Sequence, residues 1–197
     1  MVGDPWQGKT AVVTGAGRGI GEAIAIALAR LGVVVGVNDL RDGEDLQRVV
    51  AACREAAGVA FALPFDVADP MAVAKGLDEF VRSAGRLDLL VPNAAYSDRQ
   101  LFYEADMDGF RRTIDVTMWG PFYLIREASR IMIDAKRGGS IVVISSTHAT
   151  RPIPGAMAYN MAKAAIEQLV KTAATELVEH RIRVNACLLY TSPSPRD

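Results

Sequence analysis

Six short Val- and Ile-rich runs, separated by longer amphipathic stretches, leave this chain few folds to choose from. The runs cover 10–14, 33–37, 60–65, 87–91, 140–145 and 182–186. They are apolar at successive positions, as strands buried on both faces require. Between them, helical periodicity predicts helices over 20–31, 43–57, 70–84, roughly 107–136 and 156–179. Strand alternating with helix implies a parallel sheet with right-handed crossovers and helices on both faces. Gly32, Gly58 and Gly85 each follow a helical stretch, where a left-handed cap is expected. Asp69 precedes the third helix as an N-cap. Without a repeat or linker inside 1–186, one doubly wound α/β domain is expected.

Charge and length remove several other classes. Formal charge is −1, with 22 basic and 23 acidic residues well mixed, so no basic stripe invites nucleic acid or an anionic membrane. No apolar run approaches the roughly 20 residues that span a bilayer. Cys53 and Cys187 form neither a disulfide framework nor a metal-ligand spacing, and no His/Cys/Asp/Glu cluster has metal spacing either. With no apolar signal core near Met1, a soluble cytoplasmic protein is expected.

The run Thr14-Gly15-Ala16-Gly17-Arg18-Gly19-Ile20-Gly21 sits where the first strand meets the first helix. A glycine turn lets backbone approach a pyrophosphate, and the helix start offers free N–H groups and a favourable dipole. Gly15, Arg18, Gly19, Ile20 and Gly21 are therefore candidate cofactor contacts. Asp39 follows the second strand, 18 residues past Gly21, near the spacing at which an acid meets the adenosine ribose. Its carboxylate would bond both ribose hydroxyls and repel a 2′-phosphate, favouring NAD over NADP. Arg18 and Arg41 could pair with such a phosphate and keep NADP open. Asp66 and Val67, ending the third strand, are placed to meet the adenine edge.

A second motif lies far downstream. Tyr159 and Lys163 stand at i and i+4, on one helical face about 6 Å apart along the axis. A free phenol ionises near pH 10, and a nearby ammonium should lower that value, making Tyr159 a better acid. Lys163 can also donate to a nicotinamide ribose. Ser146, at the end of the fifth strand, can hold a substrate oxygen beside the phenol. Phosphate cradle and proton-transfer group together point to hydride-transfer chemistry.

With TGAGRGIG (14–21), VND (37–39), FDV (65–67), PNAA (92–95), IVVISS (141–146), YNMAK (159–163) and IRVNA (182–186) in order, the chain resembles the short-chain dehydrogenase/reductase family, in its compact single-domain branch. The resemblance implies a Rossmann-like doubly wound sheet of order 3-2-1-4-5-6 and NAD(P)-linked interconversion of a secondary alcohol and a ketone. It implies Tyr159 as general acid/base, Ser146 as orienting serine and Lys163 as ribose-binding lysine. It sets Asn93 and Ala94 beside the cofactor, and implies self-association, as homodimer or homotetramer, of a full-length parent.

The chain departs from the family at three places. Pro92 and Ala95 stand where the family has asparagine and glycine. Thr117 aligns with the helix asparagine of the proton relay, so a hydroxyl is expected there as a weak relay member. After residue 186 the family's seventh strand and substrate lid are missing, and 187–197, with Pro193 and Pro195, reads as an irregular, truncated or foreign tail. A nucleotide-binding scaffold, or a fragment without turnover, is the alternative expectation. His148 is expected at the pocket rim, His180 at a helix end, and Trp119, Phe122 and Tyr123 as packing residues. Substrate identity is not readable.

Overall fold

The structure, a computed structural model, describes residues 5–189. Six parallel strands, β1 (Thr10–Val13), β2 (Val34–Asp39), β3 (Ala60–Pro64), β4 (Leu89–Val91), β5 (Gly139–Ser146) and β6 (Ile182–Leu189), form one sheet. Their order is β3-β2-β1-β4-β5-β6. The helices are α1 (Gly19–Arg30), α2 (Glu44–Ala57), α3 (Pro70–Ala84), α4 (Met107–Ile114), α5 (Gly120–Ala135) and α6 (Met157–Leu177). This is the Rossmann-like α/β architecture.

Alternation along β1 sets the two layers. Val12 faces a core built with Leu77 and Phe80 of α3, Leu124 and Met132 of α5, and Ile166 and Val170 of α6. Its neighbours Ala11 and Val13 face the other core, with Ala25 and Ala29 of α1 and Leu46, Val49 and Val50 of α2. Successive side chains point to opposite faces, so a strand covered on both sides needs no polar alternate. Asp69 caps α3 by accepting the N–H groups of Met71 (2.8 Å) and Ala72 (3.2 Å). Gly32, Gly58 and Gly85 have φ of 80°, 82° and 81°, the left-handed turns expected of them.

The fold departs from expectation in two places. The long helix expected over 107–136 contains a π-turn at Asp115–Trp119, where the Gly120 N–H reaches back to the Asp115 carbonyl. One extra residue in the turn rotates the side chains that follow. Strand β6 continues past Ala186: Ser145 pairs with Leu188 and Ser146 with Leu189. Residues 187–189, expected to be irregular, instead pair with the last three residues of β5, Ile144, Ser145 and Ser146, because ladder pairing outweighs local composition. The remainder of that expected tail, 190–197, lies outside the described residues.

Candidate active site

The glycine turn closes over the switch point between β1 and β4, where the strand order reverses. Gly15 has φ +59°, and a Cβ there would lie 2.7 Å from the Ala94 Cα. A Cβ on Gly21 would lie 2.5 Å from the Gly15 carbonyl oxygen and 2.6 Å from Asn93 Nδ2. Both positions hold backbone against backbone. Gly19, with φ +63°, faces open space, leaving room for a ligand at the start of α1. Asn93 Nδ2 donates to the Thr14 and Gly15 carbonyls (2.9 and 3.0 Å), so its amide secures the turn. Gly15→Ala is expected to cost about 2–4 kcal/mol, combining left-handed strain with a backbone clash. Urea denaturation checks this; stability within about 0.5 kcal/mol of the unsubstituted chain would mean the turn relaxes freely.

A cleft of about 390 Å³ opens beside this turn. Gly15, Arg18, Ile20, Asp39, Asp66, Val67, Asn93 and Ala94 line it, so most of the expected nucleotide contacts converge on one surface, whereas Tyr159 and Lys163 are not among its lining residues. Gly19 and Gly21 belong to the turn itself. Asp39 accepts the N–H groups of Gly17 (3.2 Å) and Leu40 (2.7 Å), which aims its carboxylate at the cleft mouth. Arg18 and Arg41 share a second, more open depression with Asp39. Room for a dinucleotide's phosphates at Gly19, with an acid poised for a ribose, makes the residues present fit such a cofactor.

Three contributors to this cleft were not anticipated. Asn38 is 1% exposed and donates to the Leu63 and Phe65 carbonyls (2.8 and 3.0 Å), tying the ends of β2 and β3 together. Arg48 of α2 pairs with Glu22 of α1 and donates to the Gly17 carbonyl at 3.2 Å. Arg112 of α4 pairs with Asp66 at 2.8 Å and lines the cleft. Each joins segments distant in sequence, so periodicity carries no sign of it.

The Tyr159 group lies at the end of β5 and the start of α6. Ser146 is buried and accepts the His148 N–H at 3.1 Å, and its hydroxyl lies near enough to the Tyr159 phenol to favour the ionised form. Lys163 Nζ stands 5.4 Å from the Tyr159 ring centroid and donates to the Ile144 carbonyl at 2.6 Å. The structure thus brings Ser146, Tyr159 and Lys163 together. His148 sits in a 3-10 turn at Thr147–Ala149, its ring 6.4 Å from that of Tyr159. His180 ends an exposed 3-10 turn.

The electrostatics differ from expectation. Burial holds the Tyr159 phenol above its ordinary value, outweighing the Ser146 hydrogen bond and the nearby Arg99 guanidinium, which both lower it. Lys163 does not depress it as expected, because burial also pushes the ammonium's own pKa down to about 8. Desolvation disfavours both charged forms. Arg99, on the loop after β4, was not anticipated from the sequence.

One further expectation is corrected. Thr117, expected in a relay, donates its only hydroxyl proton to the Tyr96 carbonyl at 2.8 Å. Trp119 and Phe122, expected as packing residues, are 41% and 37% exposed. They pack against each other and against Tyr123.

A doubly wound sheet with a glycine turn at its switch point and a Ser–Tyr–Lys group at the end of β5 and the start of α6 defines an oxidoreductase of Rossmann architecture. The profile described as short chain dehydrogenase matches residues 9–193, and the chain belongs to the short-chain dehydrogenase/reductase family. It is similar to versicolorin reductase 1 of Aspergillus parasiticus, 38% identical over 181 residues, covering 91% of this chain and 68% of that protein. It is also similar to an L-rhamnose 1-dehydrogenase (NAD(P)(+)) of a Sphingomonas strain, 33% identical, covering 92% of this chain and 72% of the relative. Among solved structures, NAD+-bound xylitol dehydrogenase superposes with a TM-score of 0.90 at 35% identity, covering 96% of this chain and 73% of that one.

Proposed function

We propose that this oxidoreductase interconverts a secondary alcohol and a ketone, with NAD preferred and NADP an alternative. The observation that carries the reading is the placement of Lys163 Nζ 5.4 Å from the Tyr159 ring, with Ser146 at the end of β5 acting on the same phenol. A nicotinamide, when bound, supplies or accepts the hydride. Tyr159 exchanges the proton at the substrate oxygen, Ser146 orients that oxygen, and Lys163 braces the strand end through the Ile144 carbonyl. Gly15, Arg18, Gly19, Ile20, Gly21, Asp66, Val67, Asn93 and Ala94 are proposed to hold the dinucleotide, and Lys163 to reach its ribose.

Asp39 at the cleft supports NAD, whereas Arg18 and Arg41 in the adjoining depression support the NADP alternative. The relative named for NAD(P)(+) and the NAD+-bound structure are compatible with both. Exposed Trp119 and Phe122 on one helical surface support self-association. A small alcohol or ketone is the proposed substrate, and the cytoplasm the proposed location.

Parallel titration with NADH and NADPH, followed by nicotinamide fluorescence, tests the reading. Saturable binding favouring NADH is expected, and absence of binding to either would refute it. Asp39→Asn keeps an acceptor for the Gly17 N–H but removes the charge. It should shift the NADH-to-NADPH affinity ratio about tenfold toward NADPH. An unchanged ratio would remove the ribose argument.

A further inference from the structure

The loop that walls the cleft, residues 92–99, belongs to no helix or strand. Buried backbone groups there still need partners. Two threonines supply them. Thr113, on α4, and Thr117, in the π-turn, are both 0% exposed. Thr113 Oγ1 donates to the Gly109 carbonyl of its own helix at 2.9 Å and accepts the Asp98 N–H at 3.1 Å. Thr117 Oγ1 donates to the Tyr96 carbonyl at 2.8 Å and accepts the Tyr96 N–H at 3.0 Å.

The spacing explains why this works. Four residues along a helix advance about 6 Å, and two residues of a stretched chain advance about 6.6 Å. Hydroxyls one turn apart on the helix therefore meet alternate residues of the loop. A hydroxyl has one proton, so both donors are committed and neither threonine has a proton to spare for chemistry.

The residues beside these threonines complete the arrangement. Arg112 and Val116, each immediately before a threonine, line the cleft along with Ala94, Ala95 and Tyr96. Arg112 also reaches Asp66 beyond β3 at 2.8 Å. One helical segment thus spans from the end of β3 to the loop after β4 and forms a continuous wall.

We infer that Thr113 and Thr117 are a pair of positioning residues that set this wall through the backbone of Tyr96 and Asp98. The link to cofactor affinity rests on the proposed reading of the cleft; the clamp itself does not. Thr117 thereby acts on the site through Tyr96 and touches no reacting atom. Its side chain does by two-way bonding to one residue what a free loop would leave to solvent.

Amide hydrogen exchange in the cofactor-free chain reads the clamp directly. Thr117→Val keeps the shape and deletes the hydroxyl, and Thr113→Val does the same one turn earlier. Exchange at the Tyr96 N–H should rise about tenfold in the first variant, and at the Asp98 N–H in the second. Thr117→Ser should restore the Tyr96 protection. NADH affinity should fall about fivefold to tenfold in Thr117→Val and recover in Thr117→Ser, a response that loss of overall stability alone would not give. Unchanged exchange in folded valine variants would overturn the clamp. Faster exchange with unchanged NADH affinity would overturn the positioning role. If the unsubstituted chain binds no NADH, the functional reading fails, and the exchange result still decides the clamp.

Discussion

Tyr159→Phe is expected to lower turnover about a thousandfold while NADH affinity changes by less than about twofold. The substitution removes one oxygen and keeps the ring. Lys163 Nζ stands 5.4 Å from the ring centroid and His148 packs against its edge, and both contacts survive in phenylalanine. What is lost is the phenolic O–H beside Ser146. A general acid of this kind supplies about two to four powers of ten in rate, so the loss should fall on turnover rather than on cofactor binding. Steady-state rates with a secondary alcohol, paired with NADH titration, separate the two. Turnover within about tenfold of the unsubstituted chain would remove Tyr159 from the chemistry. Lost NADH binding would instead show that the phenol supports the fold of the cleft.

Much of this architecture was legible because it depends on local signals. Buried parallel strands announce themselves as Val-rich runs, and the cap glycines by their position after a helical stretch. Gly58 and Gly85 lie where the C-caps of α2 and α3 fall. Most of the expected nucleotide residues converge on one cleft for a similar reason, since a turn between strand and helix is a short-range motif. What was hidden depends on residues meeting across the chain. Nothing near Thr117 in sequence indicates that its partner is the backbone of Tyr96, and nothing near Arg112 indicates Asp66. The π-turn at Asp115–Trp119 was hidden because one inserted residue barely perturbs a helical pattern. The extension of β6 to Leu189 was hidden because Ser145 and Ser146 supply the partners, not residues 187–189 themselves. The phenol's electrostatics were hidden for a related reason. Spacing gives the distance between Tyr159 and Lys163, whereas desolvation, which dominates both shifts, depends on everything packed around them.

Lys163→Met should abolish the proposed activity and, at neutral pH, make the folded chain more stable. Lys163 is 2% exposed, and burial lowers its pKa to about 8. In the unfolded chain the ammonium keeps its proton until about pH 10.5. Between those two values the unfolded state binds more protons than the folded one, so the stability of the unsubstituted chain rises with pH across that window. Below about pH 8 the charge is buried in full and its cost is constant. Glu167, one turn further along α6, offsets part of it by favouring the charged form. Methionine carries no charge and is of similar length, so its advantage is greatest below pH 8 and shrinks by up to about 3 kcal/mol toward pH 10.5. The Ile144 carbonyl, left without its 2.6 Å donor, subtracts a roughly pH-independent amount, about 1–3 kcal/mol. Denaturation midpoints at pH 7 and pH 10 for both chains measure the difference. A gap independent of pH would mean the ammonium is well accommodated and the Ile144 bond dominates. A gap that closes as pH rises would identify Lys163 as a charge the fold retains at a cost in stability, for which proton chemistry beside Tyr159 gives the reason.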